Sequence, residues 1–204
     1  MKSKFLALVL VVFALGAMSF LAPHEPIKIG ESSPAFAELT TNIDGKDAVL
    51  REYLKPNGIM VIFSSNTCPF VVAWEDRYFG LADYCKANNI GFVLINSNEA
   101  KRDGEDSFQA MKAHYEEQKY DFPYLVDHNS TIANLMGAKS TPHVYFFDKD
   151  MQLVYRGAID DNHKDETKVT ATYALNAMRN HMAGIPASPQ TTNALGCSIK
   201  RVKK

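Results

Sequence analysis

Three short apolar runs, rich in β-branched and aromatic residues, constrain the fold of this chain more than any other feature. They are Ile-Met-Val-Ile-Phe at 59–63, Gly-Phe-Val-Leu-Ile-Asn at 91–96 and His-Val-Tyr-Phe-Phe at 143–147. None alternates between apolar and polar residues. A strand of this kind is buried on both faces, so its sheet must be covered by helices above and below. Helical patterns do fall around these runs. Phe70, Trp74, Tyr78, Leu81 and Cys85 recur at steps of 4, 4, 3 and 4, marking one face of a helix over 70–88. Further helices are predicted over 107–118, 131–136 and 168–183, and a short strand over 123–126. Asp148-Lys149-Asp150 turns the third run into Leu153-Val154-Tyr155-Arg156, and Asp44-Gly45 is the core of an earlier turn. The pattern is α/β: a three-layer domain over 36–183 with a central mixed β-sheet flanked by helices.

The flanks read differently. Lys2 and Lys4 precede an apolar run of 14 residues over 5–18, with small Ala17 and Ser19 placed for cleavage before Phe20. This is the pattern of a secretory signal peptide over 1–19. The alternative is an uncleaved anchor over 5–21, short of the roughly 20 apolar residues that a spanning helix needs. Either reading places the domain outside the cytoplasm, periplasmic or extracellular, where thiols can be oxidised. Residues 20–35, with Pro23, Pro26 and Pro34, form an extended lead-in. The tail over 184–204 carries Pro186 and Pro189 and few apolar residues.

Charge and motif content exclude several functions. The 22 Lys and Arg against 23 Asp and Glu give a net charge of −1, with no basic excess to hold nucleic acid. Neither a P-loop nor a GxGxxG fingerprint is present, and no cofactor is expected. The six histidines lack ligand spacing, and Asp160-Asp161 with Asp165-Glu166 lacks the alternation and glycine of a calcium loop, so no metal is expected.

The chemistry rests on the three cysteines. Cys68 lies in Ser64-Ser65-Asn66-Thr67-Cys68-Pro69-Phe70, between a buried strand and an amphipathic helix. A thiol at the first turn of a helix faces unpaired backbone N–H groups, which favour the nucleophilic thiolate. Pro69 suits an early helical position. A buried structural cysteine is the plainer alternative. Cys85 lies on the apolar stripe and reads as core, as does Trp74.

Strand, Ser65-Asn66-Thr67-Cys68-Pro69, helix, then Thr141-Pro142 before a later strand resembles a thioredoxin fold. More closely, the chain resembles the peroxiredoxin-like redoxins of the alkyl hydroperoxide reductase and thiol-specific antioxidant group. Glu75-Asp76-Arg77, Ile95-Asn96-Ser97-Asn98, Phe122-Pro123-Tyr124-Leu125, Tyr155-Arg156-Gly157 and Gly196-Cys197-Ser198-Ile199-Lys200 carry that likeness over residues 30–200. The resemblance implies an exported thiol oxidoreductase acting on peroxides or on protein thiols and disulfides, with an external thiol as reductant. It also implies that Thr141-Pro142 is a cis-proline loop facing the redox cysteine.

The departures from the pattern are two hydroxyls in place of thiols. Ser65 stands where one branch has the first Cys of Cys-x-x-Cys, and Ser140 stands where it has another. Cys68 is then a single reactive thiol. Ser65 is placed either to hydrogen-bond the sulfur or a peroxide oxygen, with Thr67 beside it, or to cap the helix. Cys197 is the candidate second thiol that condenses with a Cys68 sulfenic acid; otherwise it is a tail cysteine out of reach. His143 either supports the thiolate as a cation or simply begins its strand. The remaining alternative is a redoxin without catalysis, whose groove beside Thr141-Pro142 holds an extended peptide by strand addition.

Overall fold

The computed structural model describes residues 25–202; the expected signal peptide, and the start of the lead-in, lie outside the described residues. The first apolar run becomes β3 (Ile59–Ser64), at the centre of the sheet. It runs parallel to β4 (Gly91–Asn96), with Ile59 opposite Gly91 and Ser64 opposite Asn96. On its other side it pairs antiparallel with β7 (His143–Phe147), with Phe63 opposite His143. Every residue of these three strands is buried.

Side chains alternate across the sheet and feed two cores. Met60, Ile62, Leu94 and Phe146 pack on one face with Trp74, Tyr78, Cys85, Met111 and Met178. These come from α1 (Pro69–Trp74), α2 (Asp76–Ala87), α3 (Phe108–Glu117) and α5 (Tyr173–Met182). Ile59, Val61, Phe63, Val93 and Tyr145 pack on the other face with Ile132 and Met136 of α4 (Thr131–Met136). Thus the runs without alternation are buried because each face has its own helical layer.

The remaining strands complete a seven-stranded mixed sheet in the order β2-β1-β5-β4-β3-β7-β8. β5 (Tyr124–Val126) is parallel to β4, and β8 (Leu153–Gly157) forms the predicted hairpin with β7. The Asp44-Gly45 turn joins β1 (Leu39–Asn42) to β2 (Asp47–Val49), two strands too short and polar to be predicted. A separate two-stranded ladder pairs β6 (Ser140–Thr141) with β9 (Cys197–Ser198).

Two helices differ from the sequence prediction. The helix over 70–88 is broken at Glu75, whose buried carboxylate turns inward to His114 Nε2 at 2.6 Å and to the Tyr120 hydroxyl. The apolar stripe survives the break because Glu75 keeps helical backbone angles. The last helix begins at Tyr173 rather than 168; a single 3-10 turn, Glu166–Lys168, precedes it. Cys85 is fully buried with its thiol 3.4 Å from Met178 Sδ, and burial raises its pKa, as core packing requires. Among the described residues, no helix is long and apolar enough to cross a membrane.

Candidate active site

The loop from β3 into α1 carries Ser65, Asn66, Thr67 and Cys68, and buried polar contacts fix its path. Asp106 accepts a hydrogen bond from the Asn66 backbone N–H at 3.0 Å. The Asn66 side chain donates to the Glu105 carbonyl at 2.8 Å and accepts from the Tyr124 hydroxyl at 3.0 Å. The loop delivers Cys68 as the N-cap residue of α1, with Pro69 at the first helical position. Ser65 therefore does not cap the helix. Its hydroxyl is buried and has no hydrogen-bond partner, so it does not bond the Cys68 sulfur either.

Opposite this loop stands Thr141, joined to Pro142 by a cis peptide bond. The Cys68 thiol donates to the Thr141 carbonyl oxygen at 3.2 Å, a contact that only the protonated sulfur makes. Thr141 is also the register partner of Cys197. Pairing at this edge sets Cys197 beside Cys68, both lining one cavity, and the Cys197 thiol favours the Cys68 anion. All three cysteines are free.

The two facing thiols are driven in opposite directions. Burial alone raises the Cys68 pKa, but the Cys197 thiol, the Val71 N–H and Thr141 together outweigh it and hold the group below its ordinary value. The Val71 N–H belongs to the first turn of α1, whose unpaired donors favour negative charge on the Cys68 sulfur. Cys197, half-buried, is raised by desolvation and by the neighbouring Cys68, against the Phe70 N–H and the Lys200 ammonium.

A pH titration of alkylation should therefore give Cys68 a midpoint below the usual value of about 8.5 and Cys197 one above it. Cys197→Ala removes the strongest group favouring the anion, so the Cys68 midpoint should rise. Mass-spectrometric footprinting at the two sites measures both. An unchanged Cys68 midpoint in the variant would break the link between the thiols.

His143 does not supply a positive charge. It is buried against Tyr145, with ring centroids 4.7 Å apart, and burial, with Arg156 and Lys139, pushes its pKa down to about 3. Trp74 is a core residue whose Nε1 donates to Asp160 at 2.7 Å. That bond, and Arg77 Nε at 3.4 Å, engage the buried Asp160 carboxylate, which the sequence reads as part of a solvated turn.

The tail does not hang free. Before Cys197, the Thr192 hydroxyl bonds Tyr155 at 2.7 Å and the Ala158 N–H at 2.8 Å, and Ser140 Oγ donates to the Ala194 carbonyl at 2.9 Å. After Cys197, Ile199 N–H donates to Lys139 O at 3.0 Å and Lys200 N–H to Asn98 Oδ1 at 2.8 Å. Arg201 reaches Asn134 at 2.7 Å and the Ala138 carbonyl at 2.5 Å. A cavity of about 170 Å³ remains beside the thiols, lined by Ser65, Thr67, Cys68, Asn98, Cys197 and Lys200, among others. Asn98, Asp106 and Lys200 carry no motif of their own, and only the Asn96-Ser97-Asn98 and Ser198-Ile199-Lys200 likenesses pointed toward two of them.

A thiol at the end of a central parallel strand, against a cis Thr-Pro edge, is accompanied by a match of residues 29–156 to the AhpC/TSA family. The chain belongs to the AhpC/TSA family. Among solved structures, this AhpC/TSA protein is similar to an uncharacterized conserved protein from Geobacillus kaustophilus. Identity is 34%, coverage 87% of this chain and 94% of that one, and the TM-score 0.80. A hypothetical protein from Sinorhizobium meliloti 1021 is 28% identical over 88% of this chain and 98% of that one, with a TM-score of 0.79. Peroxidoxin BcpB from Mycobacterium tuberculosis, 16% identical over 77% of this chain and 97% of that one with a TM-score of 0.60, shares the thioredoxin-like fold. No protein of curated function matches the sequence.

Proposed function

We propose that the protein is an exported two-thiol peroxide reductase in which Cys68 attacks and Cys197 resolves. The apposition of Cys68 and Cys197 across the Thr141 edge carries this reading. The Cys68 thiolate attacks one oxygen of a hydroperoxide, the O–O bond breaks, and the alkoxide or hydroxide leaves as alcohol or water after taking a proton. Cys68 is now a sulfenic acid. The Cys197 sulfur attacks it, an S–S bond forms and water departs. An external thiol pair then reduces the disulfide and is itself oxidised. Attack on the Cys197 sulfur expels Cys68, the better leaving group because its pKa is lower, and Cys197 is also the more accessible of the two. Export rests on the charged start and apolar run over 1–19.

The alternative of a redox-inert peptide groove beside Thr141-Pro142 is disfavoured, because the chain's own β9 occupies that edge. One equivalent of hydrogen peroxide added to the reduced protein should remove two hydrogens in mass and yield a proteolytic peptide pair joined through Cys68 and Cys197. Intact free thiols at both positions after the challenge would overturn the assignment.

A further inference from the structure

The Ser140–Thr141 edge lies outside the main sheet, and its one ladder partner among the described residues is β9. Unpaired strand edges recruit extended chains. Thr141 O lies 3.2 Å from Cys68 Sγ, so whatever residue stands opposite Thr141 is held against the sulfur. In this chain that residue is Cys197. A polypeptide bringing its own disulfide to Cys68 along this edge would have to stand where residues 197–198 stand.

Those residues are not easily displaced, because the segment over 190–201 is fastened on both sides of Cys197. It also lies backbone against backbone on the loop. Any Cβ on Gly196 would run into the Thr141 carbonyl oxygen, so the close approach requires glycine here. What stays open is a cleft of about 170 Å³, room for a molecule of a few heavy atoms, while the strand edge itself is taken by β9. Ser65 is among the residues lining the cleft, and the Ser65 hydroxyl is buried without a hydrogen-bond partner.

We propose that residues 190–201 form a specificity strap: by holding the Thr141 edge with the chain's own strand, they close Cys68 to extended polypeptides and reserve it for small molecules entering beside Ser65. The proposal rests on Cys68 being the reacting thiol, and it extends that reading to the class of substrate.

The test uses the full-length protein with Cys85→Ser and Cys197→Ser, so that Cys68 is the sole thiol. Its rate is measured with hydrogen peroxide and with an extended hexapeptide carrying a cysteine as its mixed disulfide with thionitrobenzoate. Cys68 thiolate displaces thionitrobenzoate from the peptide sulfur, and absorbance follows the released anion. Adding Gly196→Val, or independently Arg201→Ala, should raise the hexapeptide rate tenfold or more and change the peroxide rate less than threefold. A hexapeptide rate that is equal with and without strap changes, in variants that keep their circular dichroism, would overturn the proposal.

If Cys68 reacts with neither reagent, the redox reading fails by itself. The strap is then judged by fluorescence anisotropy with a labelled serine-containing hexapeptide. Tighter binding by the Gly196→Val or Arg201→Ala variant supports it, and equal binding overturns it.

Discussion

Replacing Cys68 with serine is expected to slow peroxide consumption about a thousandfold or more, equivalent to about 4 kcal/mol in the barrier. A serine hydroxyl in the same place stays protonated near neutral pH, whereas the thiol of Cys68 is held below its ordinary value by Cys197, Val71 and Thr141 against the cost of burial. Cys197→Ser should behave differently. The first peroxide is still consumed, a Cys68 sulfenic acid accumulates and can be trapped with dimedone, and thiol-driven turnover falls. Cys85→Ser should leave both steps intact, because Cys85 is buried in the core against Met178. Stopped-flow peroxide consumption and dimedone labelling separate the three cases. Wild-type rates in the Cys68→Ser protein would remove Cys68 from the chemistry.

Asp106→Ala is expected to cost about 4 kcal/mol of folding stability, measured by urea denaturation. The buried Asp106 carboxylate accepts hydrogen bonds from the Asn66 backbone N–H at 3.0 Å, Asn96 Nδ2 at 2.7 Å and Asn98 Nδ2 at 2.8 Å. Alanine leaves the Asn66 N–H and Asn98 Nδ2 without this acceptor and Asn96 Nδ2 with only the Tyr124 hydroxyl at 3.2 Å, and each buried donor left unpaired carries a desolvation penalty of about 1–3 kcal/mol. The damage should also reach the thiols. Asn66 sits two residues before Cys68, and Asn98 holds the Lys200 N–H just beyond Cys197. The yield of the Cys68–Cys197 disulfide after peroxide should fall along with stability. A loss under about 1 kcal/mol would mean that water or backbone movement replaces the carboxylate readily.

The central strands were legible because burial on both faces leaves a plain trace, an apolar run without alternation. Thr131–Met136 is recovered with the predicted bounds for a related reason: Ile132, Ala133 and Met136 form a buried face, and Gly137 ends the helix at a φ of 68°. The position of Cys68 at a strand–helix junction followed from the same patterns. The break at Glu75 left no trace, since the apolar steps continue across it and the partners of its carboxylate, His114 and Tyr120, come from a distant helix and loop. The path of residues 190–201 was equally invisible. That segment is held by hydrogen bonds among backbone, Thr192, Asn98 and Arg201, with Ile199 its one large buried apolar residue, so it carries no hydrophobic period to read. The Asp106 network escaped because side chains far apart in sequence meet only through the fold.

The segment that holds Cys197 also runs along the outer edge of β8. Arg156 N–H donates to Gln190 O at 3.1 Å, and Thr192 N–H returns to Arg156 O at 3.1 Å, with Thr191 bridged to Arg156. The opposite end of the seven-stranded sheet is β2, three residues long. An open strand edge is a template for pairing between molecules, and proteins avoid aggregation by shortening or covering it. Here one edge is short and the other is shielded by the C-terminal chain. The same stretch of sequence thus covers the outer edge of β8 with residues 190–192 while it presents a thiol at Thr141 five residues later, so one short segment serves two strand edges.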